Sequence, residues 1–266
     1  EISECLVGSE MCIRDSYGSI ENTGLEISLN THPLTGNFQW DSDFQISFNK
    51  NKLKSLQNTA SAAIVGYGQW NDVVSMTNVG ESLFSFYGYV TDGVYKDLAD
   101  LQTSAKPAKY PADGVFNRTN TVWVGDIKYK DLNGDGVIND LDKTNIGSPL
   151  PKFTFGWTNT FRYKNFDLSI FINGSYGNKV FNYLDMKLSA MNNVWVNTSN
   201  SVKGHANLAP INPDKVYDNG GRWYDDVSNV QVTNPNASIP RPTRNDPNDN
   251  DAISDRYVDC LLYTSP

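Results

Sequence analysis

Apolar and polar residues alternate with period two along several stretches of this chain. In NFQWDSDFQISFNK, Phe38, Trp40, Phe44, Ile46 and Phe48 share one face, interrupted only by Ser42, while Gln39, Asp41, Asp43, Gln45 and Ser47 share the other. The preceding stretch sets Leu25, Ile27 and Leu29 against Glu26, Ser28 and Asn30, and HPLTGN between the two reads as a tight turn, so a hairpin is predicted. A second hairpin is predicted from KFTFGWTNTFRYK and FDLSIFINGSYG. Phe153, Phe155, Trp157, Phe161 and Tyr163 line one face of its first strand, Phe166, Leu168, Ile170 and Ile172 line one face of its second, and only Lys164 and Asn165 intervene.

The predicted strands run about 11 to 13 residues, roughly double the length usual in a globular sheet. A tilted strand needs about 9 to 11 residues to cross a bilayer, so the length fits an outer-membrane wall. The polar faces are too hydrophilic for the inside of a small sandwich and suit a wet lumen. Residues 51–120 and 180–256 are long, polar, aromatic-rich connections, and NDPNDND near the end of the second reads as turn. Short turns on one side and long loops on the other is the barrel arrangement. The expected fold is therefore all-β, an incomplete antiparallel transmembrane β-barrel wall with long extracellular loops. A β-sandwich with one solvated face per sheet is the alternative.

Composition narrows the function classes. Of 266 residues, 39% are hydrophobic and 12% aromatic, which argues against disorder. A mean hydropathy of −0.47, with no run of about 18 apolar residues, argues against a helical membrane protein, although barrel strands escape that test. The net charge of −8 and the lack of a Lys/Arg cluster disfavour nucleic acid as a partner. All three cysteines lie in the end segments, Cys5 and Cys12 in CLVGSEMCIRDS and Cys260 in CLLYTSP. Both segments resemble translated sequencing-adapter sequence. Residues 1–16 and 259–266 are accordingly expected to be non-native, with residues 17–258 an internal portion of a barrel.

The stretch KDLNGDGVINDLDKTNIGSP carries the clearest chemistry. Asp131, Asn133, Asp135, Asn139 and Asp142 take the first, third, fifth, ninth and twelfth places of a calcium-type loop, with Gly136 sixth and Ile138 eighth. Asp131, Asn133, Asp135, the Val137 carbonyl and Asp142 are the candidate ligands of a structural Ca²⁺, and Asp142 is shorter than the usual closing Glu. An ion-free turn rich in Asp and Asn is the competing reading. No helix is expected after the loop, because Gly147, Pro149 and Pro151 follow.

Hydrolytic chemistry has little support. His32 and His205 are far apart and lack a metal-ligand companion, NGSYG at 173–177 only superficially resembles a nucleophile motif, and Asp225 and Asp226 read as a solvated loop. No enzyme is expected. Asn117, Asn173, Asn197 and Asn236 open sequons that count only as polar positions in a bacterial barrel. Trp195, Trp223 and Tyr224, on the second long loop, are candidates for stacking on a sugar ring, with loop packing as the other reading.

Several stretches together resemble the SusC/RagA-type TonB-dependent outer-membrane transporters. They are GSIENTGLEISLNT, FQWDSDFQISFNKNKLKSL, FYGYVTDGVYK, the run from GDIKYKDLNGDGVIND to NGSYGNKVFN, and IPRPTRNDPNDNDAISDRYV. The likeness covers almost all of residues 17–258, and the calcium-type loop matches at Asp131, Asn133, Asp135, Gly136 and Asp142. The resemblance implies a 22-stranded barrel with an N-terminal plug in the outer membrane of Gram-negative Bacteroidota. It also implies a SusD-like surface lipoprotein as lid, contact with outer-membrane lipid, and TonB-driven import of glycan oligomers or peptides. The plug, the TonB box and the final strands are expected to lie outside this sequence, so energy coupling is assigned to no residue, and the family's substrate contacts vary, so none is carried over. A secreted calcium-dependent carbohydrate-binding β-domain is the alternative function.

Overall fold

The computed structural model describes residues 18–56, 63–68, 71–189, 204–217, 220–234, 236–243, 245–260 and, for the backbone only, 263–265. The first alternating stretches form β1 (Gly18–Thr35) and β2 (Phe38–Leu56). Short strands follow: β3 (Ala63–Tyr67), β4 (Val73–Asn78), β5 (Phe86–Gly88), β6 (Thr91–Val94), β7 (Ile127–Tyr129) and β8 (Thr144–Gly147), with helix α1 (Leu98–Thr103) after β6. The second hairpin is β9 (Phe153–Tyr163) and β10 (Phe166–Tyr176). Beyond it lie β11 (Lys179–Phe181), helix α2 (Tyr183–Ser189), β12 (Leu208–Pro210), β13 (Val230–Val232), β14 (Val258–Cys260) and β15 (Tyr263–Ser265).

The long strands make an open antiparallel sheet in the order β1-β2-β9-β10-β15. β2 and β9 are direct neighbours although some hundred residues separate them, and their ladder runs from Phe38 opposite Tyr163 to Ser47 opposite Thr154. Turns at Gly36–Asn37 and Lys164–Asn165 therefore lie on one side of the wall, and both long connections leave from the other. The alternating faces combine as the sequence predicts, with Trp40 opposite Phe161, Phe44 opposite Trp157 and Ile46 opposite Phe155. Phe38, Phe48, Trp157 and Tyr163 remain 39–45% exposed on that face, so among the described residues no second sheet covers them.

Two details depart from expectation. β1 and β2 are 18 and 19 residues long, because their shared ladder continues beyond the end of β9. The turn is also tighter than HPLTGN, since β1 continues to Thr35 through an irregularity between Thr31 and Leu34. Pro33 sits within that irregularity, where its missing N–H breaks no regular ladder bond.

The long connections fold into a lobe with its own core. Val94, Tyr95, Leu101, Val122, Trp123, Val124, Ile127 and Val230 are buried to within 1% exposure. Burying a large apolar side chain stabilises by about 1.5–3 kcal/mol, so this cluster gives the lobe a driving force independent of the wall. Leu53 ties the upper part of β2 to the lobe, donating its N–H to Glu81 O at 2.9 Å and accepting from Gly80 N at 2.7 Å.

Candidate functional site

The calcium-type loop is built from turns in which each acid accepts from the backbone just ahead of it. Asp131 accepts from Gly134 N at 2.6 Å and from Gly136 N at 2.8 Å. Asn133 accepts from Asp135 N at 2.9 Å, and Asp135 from Val137 N at 2.8 Å. Gly136 has φ +81°, a left-handed conformation that a side chain would strain. Asp142 is completely buried, and its two oxygens accept from Leu132 N at 2.9 Å and Asn139 N at 2.8 Å. A single turn of 3-10 helix, Asp140–Asp142, ends the loop before β8.

This donor set fits a calcium ion in type and in order. A carboxylate oxygen that accepts one N–H keeps further acceptor capacity, so Asp131, Asn133 and Asp135 can still turn hard oxygens toward an ion. The Val137 carbonyl is nearly free, with one long contact of 3.5 Å from Asn139 Nδ2. Asp142 could close the site only by sharing oxygens already held by the backbone. Among the described residues, no three His, Cys, Asp or Glu side chains gather as a metal-binding group.

A second polar constellation lies inside the lobe. Asp126 and Arg241 are 0% and 2% exposed, and Arg241 Nε lies 2.8 Å from Asp126 Oδ1. The aligned hydrogen bond of the pair comes instead from the other end of the guanidinium, to Asp126 Oδ2 at 3.3 Å. Trp123 N and Asn250 Nδ2 also donate to Asp126, at 2.8 and 3.2 Å. Asn250 in turn accepts from Ile127 N at 2.7 Å and donates to Asp246 at 2.6 Å. Burial, and then the negative charges of Asp126 and Asp251, push the Asp246 carboxyl up to about 7. NDPNDND thus forms the turn its composition predicts, with Asn248 and Asn250 buried in the lobe and Asn245 and Asp249 exposed.

The remaining candidates separate. Trp223 packs against the lobe core, and its ring meets Tyr224 edge-on at 5.5 Å. Arg118 and Arg222 stand over the Tyr224 ring at 4.8 and 5.2 Å. Trp195 and Asn197 lie outside the described residues. Asp225 pairs with Arg118 at 3.1 Å and Asp226 with Lys215, so the two acids face different partners. His32 contacts Asp41 at 2.7 Å on the polar face of the wall, while His205 pairs through its backbone with Ile239 in the lobe.

An up-and-down wall with an uncovered aromatic face and a folded lobe on its long-loop side defines an incomplete β-barrel wall. No family model matches the chain. TonB-dependent receptor P26 of Formosa agariphila is 38% identical over 168 residues, covering 63% of this chain and 16% of that protein. TonB-dependent receptor P3 of the same organism is 29% identical over 247 residues, covering 91% and 20%. TonB-dependent receptor SusC of Bacteroides thetaiotaomicron is 28% identical over 192 residues, covering 69% and 17%. The structure of the RagAB peptide transporter superposes with a TM-score of 0.59 at 11% identity over 93% of this chain and 22% of that one, a likeness of fold. In sequence and in fold the chain is similar to TonB-dependent receptors of the SusC/RagA type. It spans about a fifth of the length of the relatives it matches.

Proposed function

We propose that this chain contributes wall and extracellular lobe to an importer in the outer membrane of Gram-negative bacteria. In this reading the whole protein takes up glycan oligomers or peptides, is energised through TonB, and works with a SusD-like surface lipoprotein. The observation that carries it is the aromatic-rich apolar face of β2 and β9, broken only at the Ser42–Asn159 pair and left uncovered where lipid would lie, in a chain whose relatives are TonB-dependent receptors. A secreted carbohydrate-binding domain would need that face buried against a second sheet. Ca²⁺ held by Asp131, Asn133, Asp135, the Val137 carbonyl and Asp142 would be structural, fixing the lobe relative to β9. Trp223 and Tyr224, with Trp195, could take a sugar ring only if Arg118 or Arg222 moved off Tyr224. The reading includes no catalytic step.

The test is uptake of fluorescent oligosaccharides and peptides by cells carrying the intact gene. The expected result is accumulation that disappears without TonB or without the adjacent lipoprotein. Accumulation unchanged in both deletions, or recovery of the protein from the medium instead of the outer membrane, would refute it.

A further inference from the structure

The apolar face of the wall ends in aromatic rows at both rims. At the short-turn rim Phe38 meets Phe161 and Tyr163, with ring centroids 6.1 and 6.4 Å apart. At the long-loop rim Phe48 meets Phe153 at 5.8 Å and Phe153 meets Tyr176 at 5.3 Å, so one row of rings crosses β2, β9 and β10. At about 3.3 Å per residue the run from Phe38 to Phe48 measures about 33 Å along the strand, or about 25 Å in height at the tilt of a barrel strand. That is the height of a lipid-facing band, and aromatic rows mark its two interfaces.

β2 continues past the upper row through Lys50, Lys52 and Lys54, all exposed and following Phe48 at alternate positions. The residues between them fix which way the lysines face. Asn51 Oδ1 accepts from Ser82 Oγ at 2.8 Å and from Leu83 N at 3.0 Å, and Leu53 is buried beside Gly80 and Glu81 of the same lobe segment. Successive side chains of a strand point to opposite faces, so Lys50 and Lys52 stand on the face of Phe48, about 5 to 10 Å above the aromatic row. Three charges make no nucleic-acid surface; their height on the wall is what matters.

The charges of this patch do not cancel. Glu21 lies directly opposite Lys52 on β1, and it pairs with Lys54 at 2.6 Å. Among the described residues, no ion pair or ring contact engages the ammonium of Lys50 or Lys52. At the other rim Lys164 is instead folded over the Tyr163 ring at 5.3 Å. Just outside a lipid-facing band, acyl chains give way to headgroup phosphates, and lysines at that level attract anionic lipid.

We propose that this rim binds an anionic membrane lipid, its phosphate held between Lys50 and Lys52 and its acyl chains lying along the apolar face below Phe48. The proposal rests on the barrel-wall reading, because it takes that face to be in lipid.

Native mass spectrometry of the intact protein in detergent tests this, with dioleoyl phosphatidylglycerol and dioleoyl phosphatidylcholine as probes. The two share acyl chains and a phosphate, and only the first carries net charge. Phosphatidylglycerol should be retained about tenfold more tightly, and the preference should shrink as salt rises. Lys50→Gln combined with Lys52→Gln, checked for an unchanged melt, should lose the preference. Glu21→Gln, which frees Lys54, should increase it. Equal retention of the two lipids, or a preference unaltered in the folded lysine variant or by Glu21→Gln, would overturn the proposal and leave the wall in lipid. Displacement of phosphatidylglycerol by an equal concentration of inorganic phosphate would also overturn it, since the anion alone would then suffice. Retention of neither lipid would overturn it too, and if the protein also stayed dispersed without detergent the barrel-wall reading would fall with it.

Discussion

Trp40 on β2 donates its indole N–H to Asn159 on β9 at 3.0 Å, and Trp157 on β9 donates in return to Ser42 on β2 at 2.9 Å. Ser42 and Asn159 are direct partners across the ladder, and both are shielded, at 9% and 6% exposure. The one polar interruption in the apolar face of β2 is therefore half of a reciprocal pair of bonds that joins the two hairpins. Each tryptophan covers a polar residue that would otherwise face an apolar surrounding.

Asn159→Leu restores the apolar alternation yet should destabilise the wall. It leaves the Trp40 N–H without an acceptor, at a cost of about 1–3 kcal/mol. Urea unfolding of the intact protein in lipid vesicles, combined with Trp40→Phe in a double-mutant cycle, should give a coupling of about 1 kcal/mol. Additive effects would show that the bond contributes nothing.

Arg241→Met should loosen the lobe far more than a surface substitution would. It strands the Asp126 charge at zero exposure, which costs about 3–5 kcal/mol. Adding Asp126→Asn should recover part of the loss. Limited proteolysis between residues 96 and 130 would follow both changes, and equal cleavage of wild type and Arg241→Met would contradict the prediction.

Asp246 sets a pH dependence with a definite sign. Its folded pKa of about 7 lies above the unfolded value near 3.9, so the folded lobe binds the extra proton. Lobe stability should therefore rise as pH falls from about 7 toward about 4 and stay level above that window. Exchange protection of the Ile127 amide, corrected for intrinsic rates, reads this directly, because that N–H bonds to Asn250. Asp246→Asn should flatten the profile.

Calcium uptake by the intact protein should depend on the loop. Asp135→Ala removes one proposed ligand and the cap on Val137 N, so titration with Ca²⁺ should lose its high-affinity phase. Equal uptake by both proteins, or none by either, would reduce the loop to a polar turn.

The chain as it stands should self-associate in water. β1 pairs on one side only, and Leu25, Ile27 and Leu29 are 48–59% exposed along it. Light scattering without detergent should register assemblies, and a monodisperse monomer with a cooperative melt would count against the barrel-wall reading.

The wall was legible because period-two alternation is a local signal, recorded residue by residue in β2, β9 and β10. The lobe was not. Asn248 and Asn250 sit in a string of turn-forming residues, and what buries them are bonds to Ile127 and Asp126, 121 and 124 positions away. No window along the sequence contains both ends of such a bond. The calcium-type loop lies between these cases: its spacing is local and could be read, whereas the complete burial of Asp142 depends on how the loop seats in the lobe.

The separation of the Asp126–Arg241 pair also dictates an order of assembly. The β9–β10 hairpin closes over two residues and can form as soon as its strands exist, but Asp126 must wait for an arginine 115 positions later. Closing so long a loop returns nothing until its last contact is made, so the lobe is the late event. The β9–β10 hairpin can therefore be complete while Asp126 is still hydrated. The lobe then sets late, together with the β2–β9 seam, whose strands also stand some hundred residues apart.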